Sequence, residues 1–263
     1  MHHDTPFLRS LQIQMRVVGA LLMREILTRY GRHNVGFLWI FFEPMMFTLG
    51  VLALWTATKA THGSALPVTS FAVTGYSSVL MWRNCANRCA LAILPNQSLL
   101  YHRNVRVIDL FMARVLLEIA GATMSFVFLT AFFVTVGLMQ PPQDITLVLG
   151  GWIHLAVFGS SVGFIVGALS ERTETAERIW HTMAYLLFPL SGALFMVEWM
   201  PAKFQKIILL LPMVHGTEML RGGYFGTLVK AHYDVGYMIT CDLILMFIGL
   251  FLVNDASKRV EPE

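Results

Sequence analysis

Arg83 and Arg88, with Asn84 and Asn87 between them and Tyr76 and Trp82 just before, form a close-set group of side chains suited to binding chemistry. A guanidinium pairs with carboxylates or phosphates, a carboxamide bonds hydroxyls, and an aromatic ring offers a flat face to a sugar. The group suits an anionic, hydroxyl-rich ligand. The same two arginines also suit ion pairs with Glu43, Glu118 or Asp242 that hold helices together, and the sequence leaves both readings open.

Other ionisable residues are more scattered. Glu43 precedes Pro44 inside an apolar run, and a proline removes one helical hydrogen bond and bends the helix. A carboxyl beside such a bend serves either a proton relay or an ion pair. Arg114 and Glu118 are four residues apart, so an internal salt bridge is expected there, with Asp109 just before it. Cys85 and Cys89 share a helix face without a nearby histidine or carboxylate, so they read as small packing residues and no metal site is expected. The chain has neither a Gly-x-x-x-x-Gly-Lys-Ser/Thr phosphate cradle nor a His-Glu-x-x-His string. No catalytic residues are assigned, and ATP is not hydrolysed here by a P-loop mechanism. Matching Gly/Pro-broken helices in the two halves, the mark of many ion-coupled carriers, are also not evident.

Composition indicates what surrounds these side chains. Of 263 residues, 56% are hydrophobic and only 13% charged, about half the charge density of a soluble domain. Too little polar surface remains to cover a water-exposed globule. The chain therefore reads as an all-α polytopic membrane protein forming one domain over residues 1–263. A spanning helix needs roughly 20 mostly apolar residues. Six segments qualify within 35–253, at about Val35–Thr58, Val68–Leu94, Val107–Met139, Thr146–Leu169, Ile179–Val197 and Val235–Val253. The run Ile207–Pro212 is too short to span and suits a re-entrant element, where protein buries irregular backbone.

Lysine and arginine near helix ends set the orientation. With both termini inside, the inner side holds Arg9, Arg16, Arg24, Arg29, Arg32, Arg103, Arg106, Arg172, Arg178, Lys258 and Arg259. The outer side holds Lys59, Lys203, Lys206, Arg221 and Lys230. Both ends are therefore placed in the cytoplasm, with residues 254–263 as a tail. Over residues 8–32, Leu11, Met15, Val18, Leu22 and Ile26 fall on one helical stripe opposite Arg9, Arg16 and Arg24, and Arg29 returns to the apolar side. This is the pattern of a helix lying in the membrane interface. Its arginine-rich length differs from a cleaved signal peptide. Of the two short inner loops, 95–106 carries Leu99, Leu100 and Tyr101 beside basic tips, as a docking helix would, and Glu171–Arg178 is a mixed-charge turn.

Three strings are more specific. Leu22-Met23-Arg24-Glu25-Ile26-Leu27-Thr28-Arg29-Tyr30-Gly31-Arg32 runs into Gly36-Phe37-Leu38-Trp39 and Glu43-Pro44. The others are Tyr101-His102-Arg103-Asn104-Val105 and Leu211-Pro212-Met213-Val214-His215-Gly216-Thr217-Glu218-Met219-Leu220-Arg221. Together they closely resemble the membrane subunits of ABC-2 type polysaccharide exporters, and in particular the capsular polysaccharide permeases of Gram-negative inner membranes. The likeness covers nearly the whole chain and is thinnest over Arg83–Ala92.

This resemblance implies a six-helix subunit paired with an identical copy around a central path. Two ATP-binding cassette subunits, which carry the ATP and Mg, dock beneath it, so this chain binds no cofactor. Periplasmic and outer-membrane export proteins stand above. The implied cargo is a lipid-linked, usually acidic capsule polymer, with no nucleic acid involved. Arg24, Glu25, Arg29, Tyr30, Tyr101, His102, Arg103, Asn104 and Arg106 would meet the ATPase. Trp199, Pro212, His215, Glu218 and Arg221 would belong to a periplasmic re-entrant gate over Glu198–Tyr233. Tyr76, Trp82, Arg83, Asn84, Asn87 and Arg88 are then expected along the cargo path.

Three rival functions remain on the sequence alone. One is an ABC-2 exporter of O-antigen, teichoic acid or a drug. Another is a membrane enzyme acting on lipid-linked sugar through Arg83, Glu43 or His154. The third is an ion-coupled carrier using Glu43 or Asp242.

Overall fold

A computed structural model describes residues 7–31, 38–58, 66–100 and 105–260. Among these, every regular element is helical. They are α1 (Phe7–Tyr30), α2 (Trp39–Ala57), α3 (Val68–Cys89), α4 (Gln97–Leu100), α5 (Val107–Thr135), α6 (Ile145–Arg172), α7 (Glu174–Leu190), α8 (Ala202–Ile208), α9 (Pro212–Phe225) and α10 (Val235–Val260). Four of them, α2, α5, α6 and α10, are long and apolar enough to cross a membrane. α3 has the length, at 22 residues, but Arg83, Arg88 and a run of serines and threonines dilute its apolar character. α7 has only 17 residues.

The element ends differ from the hydropathy reading for local reasons. α7 starts five residues before Ile179 and stops at Leu190 rather than Val197. Beyond it Gly192 takes a positive φ of 85°, a conformation that a side chain would resist. α10 continues past Val253 to Val260, because Asp255 in its last turns pairs with Arg172 (2.5 Å) and Arg259 (3.1 Å). Hydropathy ends where those charges begin; the helix does not. The run Ile207–Pro212 is mostly helical, split between the end of α8 and the start of α9, with Leu209–Leu211 as the turn. Pro212 takes the first position of α9, where its missing N–H costs nothing.

α6 is the pillar of the bundle and packs against α10, α9 and α3. Asp144 caps its start, Oδ1 accepting from the Thr146 and Leu147 N–H groups at 2.8 and 3.1 Å, which satisfies two otherwise orphaned donors. Gly159, Gly163 and Gly167 then recur every four residues along one face. A Cβ on Gly159 would lie 2.6 Å from Trp82 Cα, on Gly163 3.0 Å from the Cys85 carbonyl oxygen, and on Gly167 2.9 Å from the Cys89 carbonyl oxygen. Without side chains there, α3 and α6 approach backbone to backbone, the arrangement by which membrane helices gain dispersion contacts that lipid cannot supply. Cys85 and Cys89 are fully buried in this seam as small packing residues. Gly151 does the same toward α9, where a Cβ would lie 2.6 Å from the Gly216 carbonyl oxygen. α1 and α2 lie against α5, with Gly121 admitting the α2 backbone at Ile40.

Candidate functional site

Among the described residues, three carboxylates and three guanidiniums meet where α1, α2, α3 and α5 converge. Glu118 of α5 lies 2.5 Å from Arg29 of α1 and 3.3 Å from Arg88 of α3. Arg88 also reaches Glu43 of α2 at 3.0 Å, while Arg29 and Arg114 both reach Glu25 of α1, at 3.2 and 3.4 Å. The formal charges cancel, so the cluster enters an apolar bundle without a net charge to desolvate. The expected Arg114–Glu118 bridge gives way to partners on other helices. Arg114 turns to Glu25 and donates to the Arg88 carbonyl (2.7 Å), leaving Glu118 between two other arginines.

The same helices are tied to the connection between α3 and α5. Arg24 Nη1 donates to Asn96 Oδ1 (2.5 Å), Asn96 donates to the Ala92 carbonyl (2.8 Å), and Gln14 bonds to Asp109 near the start of α5. Asp109 Oδ2 accepts from the Arg106 N–H (2.9 Å) and caps α5. Arg9 and Arg16 stay exposed, opposite the partly docked apolar stripe, but Arg24 does not join them at the surface. A displacement of this connection is therefore felt by α1, α3 and α5 together. Of the residues expected to couple to an ATPase, Tyr101, His102, Arg103 and Asn104 lie outside the described residues, as does the side chain of Tyr30.

The residues expected along a cargo path divide over different faces of α3. Tyr76 packs among Trp55, Phe47 and Phe188, with ring centroids 5.4, 5.8 and 5.8 Å away. Two turns on, the Arg83 guanidinium lies over Tyr185 (5.1 Å) and Phe188 (5.7 Å) of α7, a cation–π arrangement. Its buried Nε has no hydrogen-bond partner among the described residues. Asn87 accepts from Trp180 Nε1 (2.8 Å), and Asn84 is half-buried. Trp82 points elsewhere: it is fully buried against Phe158 in the α3–α6 seam and is not brought to the Arg83 face. Arg88 belongs to the ionic cluster, where its side chain remains 35% exposed and that of Glu43 48%.

The far end of the bundle is organised by α9. Glu218 is fully buried and accepts from the Val197 N–H (3.0 Å) and the His232 N–H (2.9 Å). One turn on, the fully buried Arg221 donates to the carbonyls of Gly192 (2.5 Å), Phe195 (2.7 Å), Ala193 (2.8 Å) and Phe71 (3.3 Å), and lies 3.8 Å from the Phe71 ring centroid. A planar fork of five donors can serve this many acceptors; an ammonium cannot. His215 Nδ1 accepts from the Asp234 N–H (3.0 Å), so its proton is on Nε2, which donates to the Leu209 carbonyl (2.7 Å). These residues bracket the 191–199 and 232–234 segments to α9.

His154 Nδ1 meets Asp242 (2.8 Å) and Nε2 meets the Pro212 carbonyl (3.0 Å), joining α6, α10 and α9. Asp242 is thus taken by a histidine, not by Arg83 or Arg88. Arg83, Glu43 and His154 are each committed to different neighbours and do not assemble as one reactive group. Gly159-Ser160-Ser161-Val162-Gly163 has the spelling of a hydrolase nucleophile elbow, which requires a strand-to-helix turn. Here it is mid-helix, with Ser161 buried and its Oγ donating to the Val157 carbonyl (2.8 Å). The useful signal in that string was the four-residue glycine spacing, which marks a helix seam.

The chain matches the family described as ABC-2 type transporter over residues 16–225. It is 45% identical to the capsule polysaccharide export inner-membrane protein CtrC of Neisseria meningitidis serogroup B, over 99% of this chain and 98% of that protein. It is 44% identical to BexB of Haemophilus influenzae, which has the same description, over 99% and 98%. The polysialic acid transport protein KpsM of Escherichia coli is 26% identical over 95% and 97%. The matched region takes in the ionic cluster, the Arg83 face and the α9 brackets, and with that extent the chain belongs to the ABC-2 type transporter family.

Proposed function

We propose that this chain is the inner-membrane subunit of an ATP-driven exporter that carries lipid-linked, acidic capsular polysaccharide from cytoplasm to periplasm. The near end-to-end likeness to proteins named for capsule polysaccharide export carries the reading. On this reading α3 and α7 complete six spans, both termini are cytoplasmic, and α8–α9 form a re-entrant element at the periplasmic end. α3 needs little lipid-facing apolar surface because protein buries most of it. At 1.5 Å per residue α7 is about 26 Å long, close to the hydrocarbon thickness.

The ATP and Mg are held by two cassette subunits docked at α1 and the α3–α5 connection. Movement there, at Arg24, Glu25, Arg29, Arg106 and residues 101–104, is passed through the ionic cluster into α3 and α5 and shifts the bundle between two arrangements. The second copy packs against the face formed by α2, α3 and α7, with Arg83, Asn84, Asn87 and Arg88 toward the path and Tyr76 buried behind them among aromatic rings. An ion pair as exposed as Arg88–Glu43 is costly against lipid but acceptable against water or protein, which supports that placement. Trp199, Pro212, His215, Glu218 and Arg221 order the periplasmic gate, and periplasmic and outer-membrane export proteins receive the polymer.

Deleting the chain should leave polymer trapped in the cytoplasm. Arg106→Glu should leave membrane insertion intact while ATP hydrolysis no longer supports export. Surface capsule at normal levels in the deletion strain refutes the assignment.

A further inference from the structure

Between Trp199 and Lys230 lies a cavity of about 280 Å³. We propose that it is a docking site for one acidic sugar unit of a polymer leaving the bundle; this rests on the export reading above. Trp199 supplies the platform. One face of its indole stacks on Phe71 (centroids 5.2 Å apart, planes at 25°), and Phe71 in turn stacks on Trp55 (6.2 Å, 25°). Backed in this way the ring is held in place, yet Trp199 remains 40% exposed and lines the cavity. A fixed aromatic surface with one open face buries the apolar side of a sugar ring at little entropic cost.

Two charged side chains beside the platform specify the rest. Glu198 is bonded through one oxygen by His232 Nε2 and approached at its other oxygen by Lys230 Nζ, at 3.8 Å. The His232 hydrogen bond holds the Glu198 carboxyl below the usual glutamate range, so it stays an acceptor for sugar hydroxyls. Lys230 has three donors, lies too far from Glu198 to hydrogen-bond it and has a side chain 73% exposed, so its ammonium is available to a carboxylate or phosphate on the sugar. The backbone beneath is anchored: Glu218 accepts from the N–H groups of Val197, which precedes Glu198, and of His232, two residues after Lys230. A ring platform, a hydroxyl acceptor and a mobile cation within one small cavity read ring and charge rather than linkage.

The test is titration of the full permease, with its ATP-binding partners in nanodiscs, by a galacturonic acid tetramer and by neutral maltotetraose, followed by saturation-transfer NMR. The acidic probe should bind more tightly, and Trp199→Ala should weaken it about tenfold, equivalent to about 1.4 kcal/mol. Trp199→Phe keeps the platform and should stay within about threefold, while Lys230→Ala should weaken the acidic probe and leave the neutral one unchanged. Equal affinities for the two probes, or Trp199→Ala binding like wild type, overturns the proposal. If the export reading itself is wrong, deleting the chain leaves capsule on the cell surface; if only the docking site is wrong, deletion removes capsule while the affinities ignore Trp199 and Lys230.

Discussion

Glu118→Gln is the sharpest perturbation of the ionic cluster, because it removes one charge with almost no change in shape. Glu118 is the counter-ion shared by Arg29 and Arg88, and its side chain is only 10% exposed. Removing one partner of a buried pair costs about 3–5 kcal/mol. Two features reduce that here. Arg29 retains Glu25 at 3.2 Å and Arg88 retains Glu43 at 3.0 Å, and Arg88 is 35% exposed, so part of its charge is already solvated. The expected loss is about 2–3 kcal/mol, below the buried-pair range. At roughly 2–4 °C per kcal/mol for a chain of this size, the melting temperature should fall by about 4–12 °C. Helix content followed by circular dichroism during SDS titration of mixed micelles gives the free energy, and tryptophan fluorescence on heating gives the melting shift. The second arm is Glu118→Gln with Arg88→Gln, which restores neutrality and should cost at least about 1 kcal/mol less than the sum of the single changes. A Glu118→Gln loss under about 0.5 kcal/mol, or strict additivity in the double variant, refutes the view that these six charges act as one cluster.

Two further outcomes are expected. Gly163→Leu should destabilise the bundle by at least about 1–3 kcal/mol, because even a Cβ there would lie 3.0 Å from the Cys85 carbonyl oxygen. Gly50→Ala, with nothing within 4 Å, should be neutral or gain up to about 1 kcal/mol of helix propensity; SDS titration compares the two. The Glu198–His232 contact lowers the Glu198 pKa, so its stabilising effect is present above the ordinary glutamate value of about 4.3 and is lost as pH falls through the lower folded value. Protease resistance of the 191–199 segment in wild type should therefore drop in that acidic window. The Glu198→Gln variant should lack this step; an identical profile in the two proteins counts against the contact.

Hydropathy locates α2, α5 and α10 because each presents apolar residues to whatever surrounds the bundle, and α6 because the residues it buries are themselves mostly apolar or small. It describes α3 poorly for a physical reason: α3 is buried by α5, α6 and α9, so its solvent is protein, and serines and threonines are tolerated when they donate back along the helix, as Thr74 does to Ser70 and Ser78 does to Thr74. Residue type was legible at the cluster, and so were Glu43 and Glu118 as partners of Arg88, but the partner of Arg114 was not. Arg114 and Glu118 have ideal helical spacing and still choose other helices, because a local pair gains a few tenths of a kcal/mol while a cross-helix pair also offsets the desolvation of a second charge. The same limit applies at α9. The string through Glu218 and Arg221 marked the right segment, whereas their roles as acceptor of two N–H groups and donor to four carbonyls depend on chain returns from 192–197 and 232 that no spacing records.

Those two polar centres differ in a way that bears on how the bundle moves. At Arg221 every hydrogen-bond partner among the described residues but Thr74 and Met196 is a backbone carbonyl, so the guanidinium can leave only by orphaning several buried acceptors at once, each costing about 1–3 kcal/mol. That centre is rigid. At the ionic cluster the ion-pair partners are side chains on four helices, with Arg114 also donating to the Arg88 carbonyl, and each arginine but Arg114 touches two carboxylates. Arg88 can therefore exchange Glu118 for Glu43, or Arg29 exchange Glu118 for Glu25, with a net charge of zero throughout and no carboxylate left without a cation. A cluster of that kind permits small shifts of α1 and the α3–α5 connection against α3 and α5 at low cost, while α9 holds its segments fixed. Motion that enters at the first centre is thus expected to reach the second as displacement of intact helices, not as local unfolding.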